Sequence, residues 1–150
     1  MLTAHIEIPK GGERRTYLSY DKTGYVDLGL IRSVIPVNDG VMPILYGFIV
    51  GTINHEEKGE HPEELDVLIY TSQLFKQGDV VPIEVMGLMR REDKDDKIIA
   101  RVAGETEPHT WEDIPKVERD LITSFFGYKS KILSIENKDV ALEVIRQSMI

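Results

Sequence analysis

Glu60-His61-Pro62-Glu63-Glu64-Leu65-Asp66-Val67 is an acidic loop that runs into an apolar strand, residues 65–69, and carries one carboxylate into it. Asp66 stands beside Val67 and Leu68, where an unpaired carboxylate is costly, so the position calls for a partner cation or a metal. A second group of oxygen donors, Asp93-Lys94-Asp95-Asp96-Lys97, follows later and ends in a lysine that opens another strand. Hard cations such as Mg²⁺ take oxygen ligands and keep several waters, and a lysine beside them suits a metal-bound phosphate. Without that chemistry the two segments read as solvated hairpin tips, with Asp93 and Asp95 as turn residues and Lys97 as an edge lysine.

Working outward, residues 5–8, 16–20, 26–33, 47–53, 65–69, 80–88 and 97–102 carry alternating or continuous branched apolar residues between glycine, proline or acidic turns. That spacing predicts a sheet that closes. Pro115 suits the first turn of a helix, with Val117, Leu121, Phe125 and Tyr128 on one face at helical spacing. A second helix is expected to begin near Asn137 to Asp139, burying Val140, Val144, Ile145 and Met149. Pattern alone therefore predicts a β-rich α+β fold. Glu7, flanked by Ile6 and Ile8, points to the opposite face from them, either to solvent or to the inside of a closed sheet.

The 150 residues suit one domain, 1–150, with 41% hydrophobic and 29% charged residues, ordinary for a globular protein. Cysteine is absent, which excludes disulfides and thiolate metal sites. The longest apolar stretch, from Val41 to Ile53, is broken by Pro43, Gly47 and Gly51 and is too short to span a bilayer. The N-terminus lacks the pattern of a secretory signal, so a cytoplasmic protein without a membrane role is expected. A net charge of −8 repels nucleic-acid phosphates and free phosphate anions alike, so a phosphate ligand is expected to arrive with metal and be met by local lysines and arginines. A single-strand nucleic-acid module would want a basic groove with stacking aromatics, which this composition does not offer.

Several landmarks occur in one order. They are Ile6-Glu7-Ile8-Pro9, Tyr20-Asp21-Lys22-Thr23-Gly24, Pro43-Ile44-Leu45-Tyr46-Gly47-Phe48-Ile49, Glu63-Glu64-Leu65-Asp66-Val67-Leu68, Gln77-Gly78-Asp79-Val80-Val81, Met86-Gly87-Leu88-Met89, Asp95-Asp96-Lys97-Ile98-Ile99-Ala100 and Phe125-Phe126-Gly127-Tyr128-Lys129. This series resembles the soluble, Mg²⁺-dependent inorganic pyrophosphatases from Ile6 to Lys129. The chain departs from that family where its chemistry lies. Aligned from the end of the signature, its three aspartates become His61, Glu63 and Asp66, with Pro62 and Glu64 at the glycine and proline. Thr16-Tyr17-Leu18, or Tyr17-Leu18-Ser19 in a register slipped by one, stands where the family has lysine, tyrosine and glutamate, and Met42 and Leu45 replace a tyrosine and an asparagine.

The resemblance implies a divergent pyrophosphatase with a small closed five-stranded OB-like β-barrel and flanking C-terminal helices. It implies hydrolysis of pyrophosphate by a metal-activated water, with Mg²⁺, or Mn²⁺ or Co²⁺ if His61 replaces an aspartate. His61, Glu63, Asp66, Asp93 and Asp95 would hold metal, Glu63 would orient or deprotonate the water, and Glu7 would order metal-bound waters. Tyr46, Lys97, Tyr128 and Lys129 would grip phosphate, with Arg14, Arg15 or Arg32 replacing the missing lysine. Bacterial relatives imply a homo-oligomer. The substitutions leave a second expectation open, a non-catalytic metal- or phosphate-binding or scaffold relative.

Overall fold

The computed structural model describes residues 1–56 and 63–150. Strands β1 (Thr3–Ile8), β2 (Arg14–Leu18), β3 (Tyr25–Leu30), β4 (Leu45–Ile49), β5 (Asp66–Tyr70), β6 (Val80–Arg91) and β7 (Lys97–Val102) precede α1 (Lys116–Phe126), β8 (Ile132–Asn137) and α2 (Lys138–Ser148). The main sheet runs β1-β4-β5-β7-β6-β8, and β1 also pairs with β6, so five strands close into a ring. This is the OB-like arrangement expected. β2 and β3 form a separate two-stranded ribbon.

The ring is filled on one side by Ile6, Ile49, Val67, Ile69, Leu88, Ile98 and their neighbours, over which α2 lays Ala141 and Ile145. A second cluster, including Ile8, Ile44, Leu68, Met89 and Ile99, packs against Ile122, Phe125 and Phe126 of α1. Burial on both faces explains why β5, β6 and β7 read as nearly continuous apolar runs rather than alternating ones.

Three expectations are corrected. Strand β8 was not anticipated, because Ile132-Leu133-Ser134-Ile135-Glu136-Asn137 is half polar; as an outer strand it pairs only with β6 and needs little apolar surface. The buried face of α1 is Ile122, Phe125 and Phe126, whereas Val117 (82% exposed) and Tyr128 (55%) face outward. α2 buries Ala141, Ile145 and Ser148 and leaves Met149 largely exposed. Its start is as expected: Asn137 caps it, the side chain accepting from the Val140 amide at 3.1 Å.

Two backbone details position the interior. The β1–β4 register shifts between Ile6 and Ile8, a bulge at Glu7 that re-aims its side chain, so Ile6, Glu7 and Ile8 are all buried. Gly47 of β4 lies against β1 so closely that a Cβ would stand 2.1 Å from the His5 carbonyl oxygen. Gly47→Ala must therefore push β1 from β4, and overpacking of this kind costs about 1–3 kcal/mol or more. An unfolding free energy from urea denaturation lowered by that amount, with a correspondingly lower midpoint, is expected, and an unchanged midpoint would contradict the strand packing described.

Candidate active site

The parallel pairing of β5 and β7 places Asp66 directly opposite Lys97. Lys97 is not an edge lysine: β7 lies between β5 and β6, and the residue is 3% exposed. Its ammonium donates to Asp66 Oδ2 at 2.6 Å, Asp95 Oδ2 at 3.1 Å and Tyr46 Oη at 3.3 Å, so all three of its hydrogens have partners. Burial alone would pull the Lys97 pKa down, but Asp66, Tyr46 and Asp95 outweigh it and hold it well above its ordinary value. The same burial, with the charge of Asp66, pushes the Tyr46 phenol well up, so it stays a neutral donor.

These groups line a cavity of about 660 Å³ between the β2–β3 ribbon and the main sheet. Glu7, Glu63, Glu64, Asp66 and Asp95 supply its acids, and Arg15, Lys22, Arg91 and Lys97 its cations. Among the described residues Glu64 pairs with Lys22, Asp66 and Asp95 share Lys97, and Arg15 has no ion pair. Glu64, at the position where the family has proline, is thus part of the wall. Asp95 is pushed up by burial and by the charge of Asp66, and Glu63, exposed on one side, by desolvation and then by Asp66 and Asp95. Glu7 is pushed to about 8, chiefly by burial; the Leu18 amide that donates to it at 2.8 Å opposes the rise, and Asp66, Glu64 and Glu63 add to it.

The sequence-derived candidates separate accordingly. Glu7, Tyr46, Glu63, Asp66, Asp95 and Lys97 meet at the cavity, and Arg15 joins them from β2. Asp93, Tyr128, Lys129, Arg14 and Arg32 do not line it. Asp93 accepts from the Asp95 amide at 3.0 Å and its Oδ2 lies 3.5 Å from Arg91 Nη1, and Arg14 is held by Asp27 at 2.6 Å. Tyr128 and Lys129 follow the end of α1 at the exposed surface. His61 lies outside the described residues.

Arg91 was missed. Its side chain is only 9% exposed; Nε donates to the Phe126 carbonyl at 3.2 Å, Nη1 donates to the Asp95 carbonyl at 3.2 Å, and Nη1 lies 3.7 Å from Asp95 Oδ2. In a run of alternating acids and bases it looks like one more solvated charge. The available signal was period two: Arg91 follows Met89, which belongs to the buried cluster, on the same face of β6.

The donor set can be tested against a divalent ion. Asp66 and Asp95 are hard oxygen donors brought to one point, which suits Mg²⁺, an ion commonly held by one or two carboxylates with waters and substrate phosphates completing its shell. Among the described residues no group of three or more histidine, aspartate or glutamate side chains is close enough to form a cage by itself.

The fold is shared with solved pyrophosphatase structures. The chain matches an inorganic pyrophosphatase from Neisseria gonorrhoeae at 24% identity over 97% of this chain and 87% of that one, with a TM-score of 0.80. For the enzymes of Ehrlichia chaffeensis and Thermus thermophilus the identities are 19% and 22%, the coverages 98% and 92%, and 98% and 88%, and the TM-scores 0.83 and 0.79. No curated protein matches significantly by sequence. The sequence profile of the family described as inorganic pyrophosphatase matches residues 4–150, and the chain belongs to that family.

The raised Glu7 pKa has a pH signature. A carboxyl whose pKa is near 4.5 unfolded and about 8 folded keeps its proton longer in the folded state, so its contribution to stability falls as pH rises between those values and is constant above them. Glu7→Gln, mimicking the protonated form, should gain stability over the parent from about pH 5 to about pH 8 in chelator. Denaturation curves showing a constant difference between the two proteins would refute this.

Proposed function

We propose that the protein hydrolyses inorganic pyrophosphate to two phosphates with the help of a divalent cation, Mg²⁺ or its substitutes Mn²⁺ and Co²⁺. The observation that carries this reading is the meeting of Asp66, Asp95, Lys97 and Tyr46 in one cavity of a pyrophosphatase-family chain. Asp66 and Asp95 would hold the cation, which supplies neutralisation of phosphate charge and a more acidic water. Lys97 acts by positioning these carboxylates. Tyr46, its oxygen accepting from Lys97, keeps its own hydrogen to donate to a phosphate oxygen. Glu63, its pKa displaced toward neutrality, is suited to take a proton from the attacking water. Arg15 and Arg91 replace the phosphate contacts that the substitution of Thr16 removed. Glu7 orders the hydrogen-bonded wall through the Leu18 amide.

The second reading, a non-catalytic phosphate-binding relative, is favoured by one observation: Lys97 and Arg91 already compensate Asp95 internally. Phosphate release from pyrophosphate with each metal decides between them. Loss of one charged phosphate contact costs on the order of 10²- to 10³-fold in rate, so a slow but metal-dependent release is expected. Release equal to buffer with every metal would support the non-catalytic reading.

Asp66→Asn should abolish both metal binding and hydrolysis, whereas Asp120→Asn, at an exposed carboxylate of α1 that pairs with Lys116 outside the cavity, should leave both within about threefold, under 1 kcal/mol. Equal losses in two folded variants would displace the site. We also propose a homo-oligomer, supported by exposed apolar side chains such as Leu74, Val80, Val117 and Leu133. Light scattering at micromolar concentration should give a multiple of the 17.1 kDa chain mass, and a monomeric mass would remove the proposal.

A further inference from the structure

The cavity is larger than pyrophosphate requires, and its lining is not only charged. About 660 Å³ falls in the range that accepts ligands of roughly 300–1,000 Å³, whereas pyrophosphate presents oxygen on all sides and has use only for charged and polar groups. Aliphatic side chains also line the cavity: Val26 and Leu28 of β3, Val34 and Ile35 of the turn after it, and Leu18 from β2. These side chains are not simply core: Leu28 is 52% exposed and Val34 and Ile35 are half-buried, so they border open space. The Thr16 hydroxyl beside these side chains already donates to the Glu7 carbonyl at 2.8 Å, while Tyr17, Ser19 and Tyr20 also line the cavity. A hydrocarbon chain laid along the aliphatic side chains would give up no hydrogen bond there, whereas a polar group would need a partner. Arg15, without an ion pair among the described residues, and the anchored guanidinium of Arg91 place positive charge in the same cavity.

From this juxtaposition we infer that the cavity takes a diphosphate monoester of a short aliphatic alcohol, its phosphates among Arg15 and Arg91 and its chain along Val26, Leu28 and Ile35. The inference rests on the pyrophosphatase reading for the phosphate end and adds the organic group.

The test is calorimetric titration of the whole protein, in magnesium, with methyl, butyl and octyl diphosphate and with adenosine diphosphate. Phosphate release from pyrophosphate is measured on the same preparation. Each fully buried methylene is worth about fourfold in affinity, so partial burial should make butyl diphosphate bind at least about tenfold tighter than the methyl ester. Adenosine diphosphate should bind no better than the methyl ester. In Ile35→Asp the gain from methyl to butyl should disappear. A flat chain-length series alongside active pyrophosphate hydrolysis overturns this inference and leaves the hydrolytic reading standing. A rising series without phosphate release does the reverse; failure of every organic diphosphate to bind overturns this inference, and the hydrolytic reading falls with it only when phosphate release is absent too. Adenosine diphosphate binding as tightly as octyl diphosphate overturns the aliphatic assignment. So does a rising series that persists in Ile35→Asp while that variant changes from oligomer to monomer, because the wall is then a subunit contact.

Discussion

A fully buried ammonium sets the terms for everything around it. Lys97 opens a strand with neighbours on both sides and is only 3% exposed at the cavity wall, so its charge must be met chiefly by protein groups. Asp66 across the parallel pairing, Asp95 two residues earlier and the Tyr46 phenol from β4 do so together. Removing one partner of such a buried pair generally costs about 3–5 kcal/mol, because the other charge is left uncompensated. The requirement also fixes register. A slip of one residue between β5 and β7 would turn Asp66 to the other face and leave two buried charges apart. The same contacts that hold the ring together thus deliver two carboxylates to one point.

The bulge at Glu7 and the detached β2–β3 ribbon give that point its walls. An unbulged β1 would send Glu7 to the face opposite Ile6 and Ile8; the extra residue buries all three and lets the carboxylate accept from β2. The ribbon is not paired strand to strand with the main sheet and touches β1 through side-chain hydrogen bonds, so space remains beneath it. The cavity is therefore a product of strand irregularity and of a ribbon standing off, and depends on no single loop.

Much of this was legible in the sequence because it rests on short-range signals. Apolar runs bounded by acidic turns marked β5 and β7, Asn137 marked the start of α2, and the odd placement of Asp66 in an apolar run announced a buried partner. What was not legible depends on tertiary neighbours. Whether Asp93 or Arg91 faces inward is decided by where β6 ends and how its loop closes, and composition assigned both to solvent or to metal by type. Tyr128 and Lys129 resemble a family motif, but the exposed surface beyond α1 separates them from the cavity. Strand β8 escaped notice because pairing along one edge of β6 requires backbone hydrogen bonds and little apolar surface.

The parallel alignment of β5 with β7 has a consequence for the order of folding. Parallel neighbours cannot be joined by a tight turn, and here the crossover between them contains the whole of the twelve-residue β6. Contacts of high sequence separation form only after the entropy of closing long loops has been met. Asp66 and Lys97 consequently come together as part of the slow, non-local step and not in any early hairpin. A chain that has made its local turns but not yet completed this pairing carries the lysine and both carboxylates in water, with nothing that would hold a cation or a phosphate. Molecules competent to bind and molecules fully folded are then one population, and ligand binding reports directly on the completed topology.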